Sequence, residues 1–376
     1  MTIDRAQLAY DNVLQKPTHG IPSWLWHPME HRMIDRVAGV PEGTYRQKPE
    51  ETYLAMLHNS GVCLLDQFIP TNPLSMGDKG FEGDKTRGAT TGAEEIVRDG
   101  IRIDSPEAVI EHMERFAFPQ VKKAMEDFNE DQRVREIIAN EKQIQEVLGP
   151  SILKSGYAFL GFPRLAYGYY GYAHFFAAYA LYPEVMGKNF SLQGDLALKQ
   201  NRAAARAYVE GNLPPLYRLD HDMADSRGML VNIKTLDKLW FPHFARCMEP
   251  LLKNNVRLIW HCDGNLMDMV PRLLEVGLRG FQGFQYEDGM DYEKICRMKD
   301  REGRDLIIIG GVSVTRTLPL GMPEDVKRQM AWLVKNGPKT GLFLACTSSM
   351  TPGVPWENIK TLVEGFHYYQ KHGRDG

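Results

Sequence analysis

Eight short apolar runs, each passing into a polar or glycine-bearing loop and then a helical pattern, constrain this chain more than any other feature. They occupy residues 21–26, 61–66, 152–160, 216–219, 256–260, 278–284, 306–309 and 341–345. A strand covered on one face alternates apolar with polar residues, whereas one covered on both faces is apolar throughout. Runs of the second kind, alternating with helices, predict parallel strands joined by helical crossovers. Eight such units predict an α/β fold of the (β/α)8 TIM-barrel type rather than an open sheet. The length agrees, because 376 residues hold one barrel of about 250 residues plus insertions. The expectation is a single barrel domain over residues 1–376.

Local signals place several helices. Ser105-Pro106-Glu107 opens one, with serine as N-cap and proline at the first helical position. Pro323-Glu324-Asp325 opens a second that stops near Asn336-Gly337, and Pro355-Trp356-Glu357-Asn358 begins the last. Residues 67–151 separate the second and third runs, which is more than one crossover helix needs. We therefore expect an insertion over about residues 70–145, serving as a lid or an interface. It starts with a Gly- and Thr-rich stretch, 77–92, and Ile96, Val97, Ile101 and Ile103 predict a small packed hairpin within it.

Composition removes several classes. A net charge of -3, with no block of like charges, gives no footing for nucleic acid. No apolar run approaches the ~20 residues of a membrane span, and the start lacks the layout of a signal peptide. The five cysteines, 63, 247, 262, 296 and 346, are odd in number and scattered, without a CxxC pair. That pattern fits reduced thiols and a cytoplasmic location.

In a barrel, chemistry sits just past the carboxyl ends of the strands. Trp260-His261-Cys262-Asp263-Gly264-Asn265 ends the fifth run. Alternation along a strand sends His261 and Asp263 to one side and Cys262 to the other. An imidazole and a carboxylate placed so bind a metal or form an acid/base pair; the plainer reading has Asp263 as a helix cap. The fourth run ends in Asp220-His221-Asp222, where both aspartates share a face. Asp220 is the stronger candidate, since Asp222 has Arg227 as a ready ion-pair partner. Glu287, after the sixth run, is a candidate metal ligand or general acid. Gly310-Gly311 ends the seventh, where missing side chains let substrate or backbone approach closely. Near the amino terminus, His27 and Glu30 are candidate substrate contacts, and Asp66 ends the second run ahead of Gln67. The segment 157–182 is unusually aromatic, with Tyr167, Tyr169, Tyr170, Tyr172, Phe175 and Phe176. Such stripes mostly pack a core or a subunit interface, a homodimer included, and in part wall a flat pocket.

The carboxyl half carries four motifs in order: His261-Cys262-Asp263-Gly264-Asn265, Ile309-Gly310-Gly311-Val312, Leu320-Gly321-Met322-Pro323-Glu324 and Val354-Pro355-Trp356-Glu357-Asn358-Ile359. In this it resembles the uroporphyrinogen decarboxylase superfamily, which includes the decarboxylase and zinc-dependent methyltransferases that work with corrinoid proteins. The likeness is strong from Tyr217 onward and thinner before it, resting there on Trp26-His27-Pro28 and Cys63-Leu64-Leu65-Asp66.

Departures from the family choose between its branches. His27-Pro28-Met29-Glu30-His31 stands where the decarboxylase has an arginine-rich loop, leaving a polyanionic porphyrinogen uncompensated. By the resemblance, the decarboxylase's catalytic aspartate falls on Asp66, its tyrosine near Tyr167 or Tyr169, and its late histidine on Ser348. Thiolate zinc ligation is likewise broken, with Asp263 and Ser348 at the cysteine positions and Cys346 two residues off. O-demethylase members use a histidine with acidic ligands, which His261, Asp263 and Asp220 or Glu287 would supply. The resemblance thus implies a zinc-assisted methyltransferase, with Asp66, Asp220 and Glu287 in catalysis and His27, Tyr167, Tyr169, Gly311 and Ser348 around the substrate. The methyl group would pass from a small methoxylated, optionally aromatic, substrate to a corrinoid (cobalamin) protein. The alternatives are a metal-free decarboxylase of a small acid, with Asp66 as acid/base group, and a non-catalytic tetrapyrrole carrier. The chain lacks the Asp-x-His-x-x-Gly pattern that would let it carry the corrinoid itself.

Overall fold

The computed structural model describes residues 3–71 and 95–375; the Gly- and Thr-rich stretch at 77–92 lies outside them. The barrel strands are β1 (23–24), β2 (Leu64–Leu65), β3 (Leu153–Lys154), β4 (Leu216–Asp220), β5 (Arg257–His261), β6 (Gly280–Gln282), β7 (Ile307–Val312) and β8 (Leu342–Cys346). Each falls within or across one of the eight apolar runs. β4 through β8 pair in parallel in chain order. Parallel bridges close the ring: Ser23 with Leu344, Trp24 with Leu64, β2 with β3, and Gly156 with Tyr217. All six residues of β7 and all five of β8 are buried, as strands covered on both faces must be.

Helices ring the barrel and begin as their caps dictate. The Ser105 hydroxyl accepts from the Ala108 amide at 3.1 Å, at the start of Pro106–His112. Asp325 accepts from the Met322 amide at 2.7 Å, at the start of Pro323–Asn336. Each such cap satisfies an otherwise orphaned amide and is worth about 1 kcal/mol. Among the described residues no helix is long and apolar enough to cross a membrane.

The expected hairpin is present. Val97–Arg98 and Ile101–Arg102 pair antiparallel around Asp99-Gly100, both with positive φ, which is the requirement of a two-residue type I′ turn. It packs on the barrel face through Arg98, whose guanidinium lies 4.3 Å over the Tyr169 ring. Buried His112 joins the two parts, with one ring nitrogen 2.8 Å from Asp99 and the other 2.9 Å from the Tyr170 hydroxyl. Behind β3, buried Asn201 of the long helix Pro183–Gly211 grips both the amide and the carbonyl of Gly161, at 3.0 and 2.9 Å. That grip fixes the loop leading to Arg164.

Candidate active site

A cavity of about 540 Å³ opens at the carboxyl ends of the strands, bounded by His27, Asp66, Arg218, Asp220, Asp222, His261, Asp263, Gln282 and Ser348 among others. That volume is ordinary for a small-molecule site. β5 sets its centre. Trp260 turns outward into the helix layer, 5.6 Å from both Phe162 and Phe244, and alternation then sends His261 inward. Losing a fully buried tryptophan costs roughly 3–5 kcal/mol, so the register that aims His261 is strongly fixed.

Among the described residues, Asp222, His261 and Asp263 form a group whose ligand atoms lie within 4.8 Å of one another. His261 Nε2 stands 3.8 Å from Asp263 Oδ1. Zinc bonds of ~2.0–2.1 Å place tetrahedral ligand atoms roughly 3.4 Å apart, so small side-chain rotations suffice to share one ion. Buried His261 Nδ1 and Asp263 Oδ1 have no hydrogen-bond partner, which is costly for buried polar atoms unless another group satisfies them. The remaining carboxylate contacts are orienting ones: Asp222 Oδ1 accepts from the Asp263 amide at 2.9 Å, and Ser348 Oγ donates to Asp263 Oδ2 at 3.2 Å. Burial, and then the negative charge of Asp263, raise the Asp222 carboxyl above its usual range. Two buried carboxylates packed together behave this way, even though the charge of His261 partly opposes the shift.

Gly283 and Gly264 make this packing possible. A Cβ on Gly283 would stand 2.6 Å from His261 Nδ1, and one on Gly264 would stand 2.6 Å from the Asp225 carbonyl oxygen. Both glycines also have positive φ, so side chains are refused on two counts.

Asp220 takes a different role from the one expected. Arg218, 8 % exposed, donates to Asp66 at 2.7 Å and to Asp220 at 3.0 Å, tying both carboxylates into a buried ion-pair bridge. Burial pushes the Asp220 carboxyl up, but the positive charges of His261, Arg218 and Arg164 outweigh it and hold it below its ordinary value. Asp222 does not pair with Arg227, which holds Asp225 instead, at 2.6 Å. Asp222 therefore replaces Asp220 in the metal-capable group. The reason is partly local, since β4 ends at Asp220 and Asp222 lies in the turn beyond, where strand alternation no longer governs direction.

Other expected residues are also redistributed. Glu287 is exposed on a short 3-10 turn, accepts from Ser313 Oγ at 3.0 Å and does not line the cavity. Tyr169 is exposed and carries Arg98, so it stands away from the cavity. Tyr167 is buried and does not line it either; its hydroxyl donates to the Asp222 carbonyl at 2.8 Å, which makes it a support for that residue. Gly311 approaches backbone, not substrate, because an added Cβ would meet Cys346 and Thr347 main-chain atoms at 2.3 Å. His27, Asp66 and Ser348 do line the cavity, with His27 Nδ1 3.3 Å from the Tyr53 hydroxyl. Cys262 faces away, accepting from the Met223 amide at 3.3 Å, and burial together with the Asp222 charge pushes its thiol far up. Cys346 lines the wall, and burial raises its thiol as well; neither is set up as a free thiolate.

The residues missed in the sequence are Arg218, Gln282 and Gln285. Arg218 interrupts an otherwise apolar run, Leu216-Tyr217-Arg218-Leu219, and a charge in a buried strand is itself a signal. Gln282 is the register partner of His261, information that only strand pairing supplies. Gln285 accepts from the Gly264 amide at 2.7 Å.

A second compartment of about 500 Å³ adjoins the first, sharing Gln67, Arg218 and Asp220 as a common wall. Its other side is aromatic, with Tyr157, Phe162 and Tyr217.

Comparison with known proteins follows the same division of the chain. Residues 222–369 match the model of the family "Uroporphyrinogen decarboxylase (URO-D)". Among solved structures, a methyltransferase from Methanosarcina mazei is similar in fold, with a TM-score of 0.59 and 17% identity, over 98% of this chain and 99% of that one. No curated protein matches the chain.

Proposed function

For a chain that resembles the uroporphyrinogen decarboxylase superfamily in the pattern of its carboxyl half and in its whole barrel, we propose a metal-assisted methyltransferase that moves a methyl group from a small methoxylated substrate to a separate corrinoid protein. The observation that carries this reading is the group Asp222, His261 and Asp263 at the cavity. Its donor set of one imidazole nitrogen and two carboxylate oxygens suits zinc, and the orphaned Asp263 Oδ1, 3.8 Å from His261 Nε2, fits a site built for another occupant. Zinc bound there would supply Lewis acidity toward an ether oxygen, stronger than a thiolate-ligated ion would.

The chain's own residues supply the rest. Ser348 and the Asp263 amide hold the two carboxylates in place. Arg218 neutralises much of the charge on Asp66 and Asp220, so the uncompensated negative charge concentrates on Asp222 and Asp263, where a cation belongs. The partly buried Gln282 amide, whose Oε1 lacks a partner, faces the same space and can orient a substrate hydroxyl. A methyltransferase also stands among the proteins that share the fold, which agrees with the reading. The decarboxylase alternative has weaker support, because both oxygens of Asp66 already accept, from Arg218 Nε and from the Gln67 amide.

Metal analysis and a transfer assay test this. The purified chain should hold one zinc, and it should methylate a reduced corrinoid protein when given a methoxyarene. Absence of both metal and methylated corrinoid would end the proposal, and release of CO2 from a small acid would restore the lyase.

A further inference from the structure

The described part of the insertion reaches the site from outside, through one short helical turn. That turn, Tyr167–Tyr170, stands between the hairpin and the end of β4, and the insertion grips it at three places. Arg98 Nε donates to the Tyr169 carbonyl at 3.0 Å while its guanidinium covers the Tyr169 ring. Ile96 packs on Gly171, with its Cδ1 only 3.0 Å from where a Cβ would stand. The third grip is His112, 2 % exposed. Its Nε2 lies 2.8 Å from the Asp99 carboxylate in the hairpin turn, and its Nδ1 lies 2.9 Å from the Tyr170 hydroxyl. A carboxylate only accepts, so Nε2 donates and both ring nitrogens are engaged. The helix Pro106–His112 runs directly into a widened π turn, Met113–Ala117. The Phe116 ring in that turn lies against the imidazole, 5.4 Å away and 26° from parallel. Such turns are rare and recur at functional sites, yet His112 does not line the cavity.

On its other side the same turn holds the site. The Tyr167 hydroxyl donates to the Asp222 carbonyl at 2.8 Å, and the Tyr167 ring stacks on His221 at 5.9 Å, 16° from parallel. Asp222 lies beyond the end of β4, where strand pairing no longer fixes the main chain. Contacts of this kind hold it instead.

We propose that the hairpin is a brace for the metal-capable group, and that His112 is a positioning residue acting on Asp222 through Tyr170 and Tyr167. Side chains packed this closely transmit a displacement instead of absorbing it. The inference rests on the proposed function only for the ion that the group would hold.

Two substitutions in the hairpin release the brace without opening the core. Arg98→Ala removes the grip on Tyr169. Asp99→Gly removes a carboxylate that is 40 % exposed and leaves a Gly-Gly turn, which suits type I′ geometry. In the metal-free chain carrying both, hydrogen exchange should speed by about fivefold at 165–171 and 220–224 and stay unchanged at 347–353. By chelator competition the same chain should bind zinc about five- to tenfold more weakly, below the range of a direct orienting contact. On a Tyr167→Phe background the pair should cost less than about twofold, because the route is already cut. With Ser348→Ala, which acts on Asp263 instead, the losses should add. Asp99→Asn keeps the turn and an acceptor, and should behave as the parent chain. His112→Gln keeps only the reach to Asp99 and should fall between parent and double variant. Unchanged exchange at 220–224 would overturn the proposal whether or not the chain binds zinc, as would losses that add to those of Tyr167→Phe. In a parent chain that binds no zinc the proposed function falls, while faster exchange at 220–224 in the double variant still supports the brace.

Discussion

The two compartments share a wall and have opposite electrostatic character. Around the first, Asp66, Asp220, Asp222 and Asp263 face one guanidinium, that of Arg218. Around the second, Arg164 adds a guanidinium beside the Arg218 bridge to Asp66 and Asp220. Fields inside a low-dielectric cleft act strongly on whatever enters, so the two sides favour opposite charges. Arg218 stands at the boundary, and its two ion pairs keep the sides distinct.

The boundary is where the comparison breaks most readily. Arg218→Leu leaves Asp66, 1 % exposed, as a buried charge without its partner, which costs about 3–5 kcal/mol. Chemical denaturation should show that loss, and an unchanged midpoint would mean that the bridge is not what holds the wall. The acidic side is sharpened by His261→Ala, which removes the only nitrogen of the metal-capable group. Zinc affinity should fall by more than the 10- to 100-fold that losing an orienting contact costs, as read by competition with a chelating dye. Ser348→Ala removes such an orienting contact and should fall within that smaller range.

A pH scan tests the wall from outside. Burial, and then the charge of Arg164, hold His221 down to about 3 from 6.5. Its Nε2 accepts from the Leu165 amide at 3.0 Å, which requires the neutral ring. The unfolded chain takes up a proton below pH 6.5 and the folded one does not, so this contribution to stability is complete above 6.5. It is lost as the pH falls from 6.5 toward 3, by about 1.4 kcal/mol per unit at most. His221→Asn, which keeps an acceptor, should flatten that part of the stability profile; an identical slope in the variant would exclude His221 as its source. The smallest effect is expected from Glu287→Gln. Because Glu287 is exposed and outside the cavity, zinc affinity should change less than about twofold, and a larger drop would return it to the ligand set.

Much of this was legible in order of range. The eight runs required only local hydrophobicity, and His261 with Asp263 required only the two-residue period of a strand that continues to its end. Asp220 against Asp222 was beyond that period, because both lie on one face by alternation and their difference lies in a partner. Arg218, two residues before Asp220 on the same strand, reaches Asp66 on another strand at the same time, and no spacing along the chain contains that second contact. Glu287 was expected from its place after a strand and Tyr169 from the family resemblance, while a short turn and the docked hairpin hold them outside the cavity.

By itself, then, the chain's order of residues determined a closed barrel and the end of it that carries chemistry, since hydrophobic period and capping act between near neighbours. Tertiary structure alone decided which carboxylate was neutralised, which faced the imidazole, and that an aromatic compartment lay alongside. Those outcomes depend on charges and close approaches between strands and loops far apart in sequence, and in a buried site such long-range pairings outweigh any local preference.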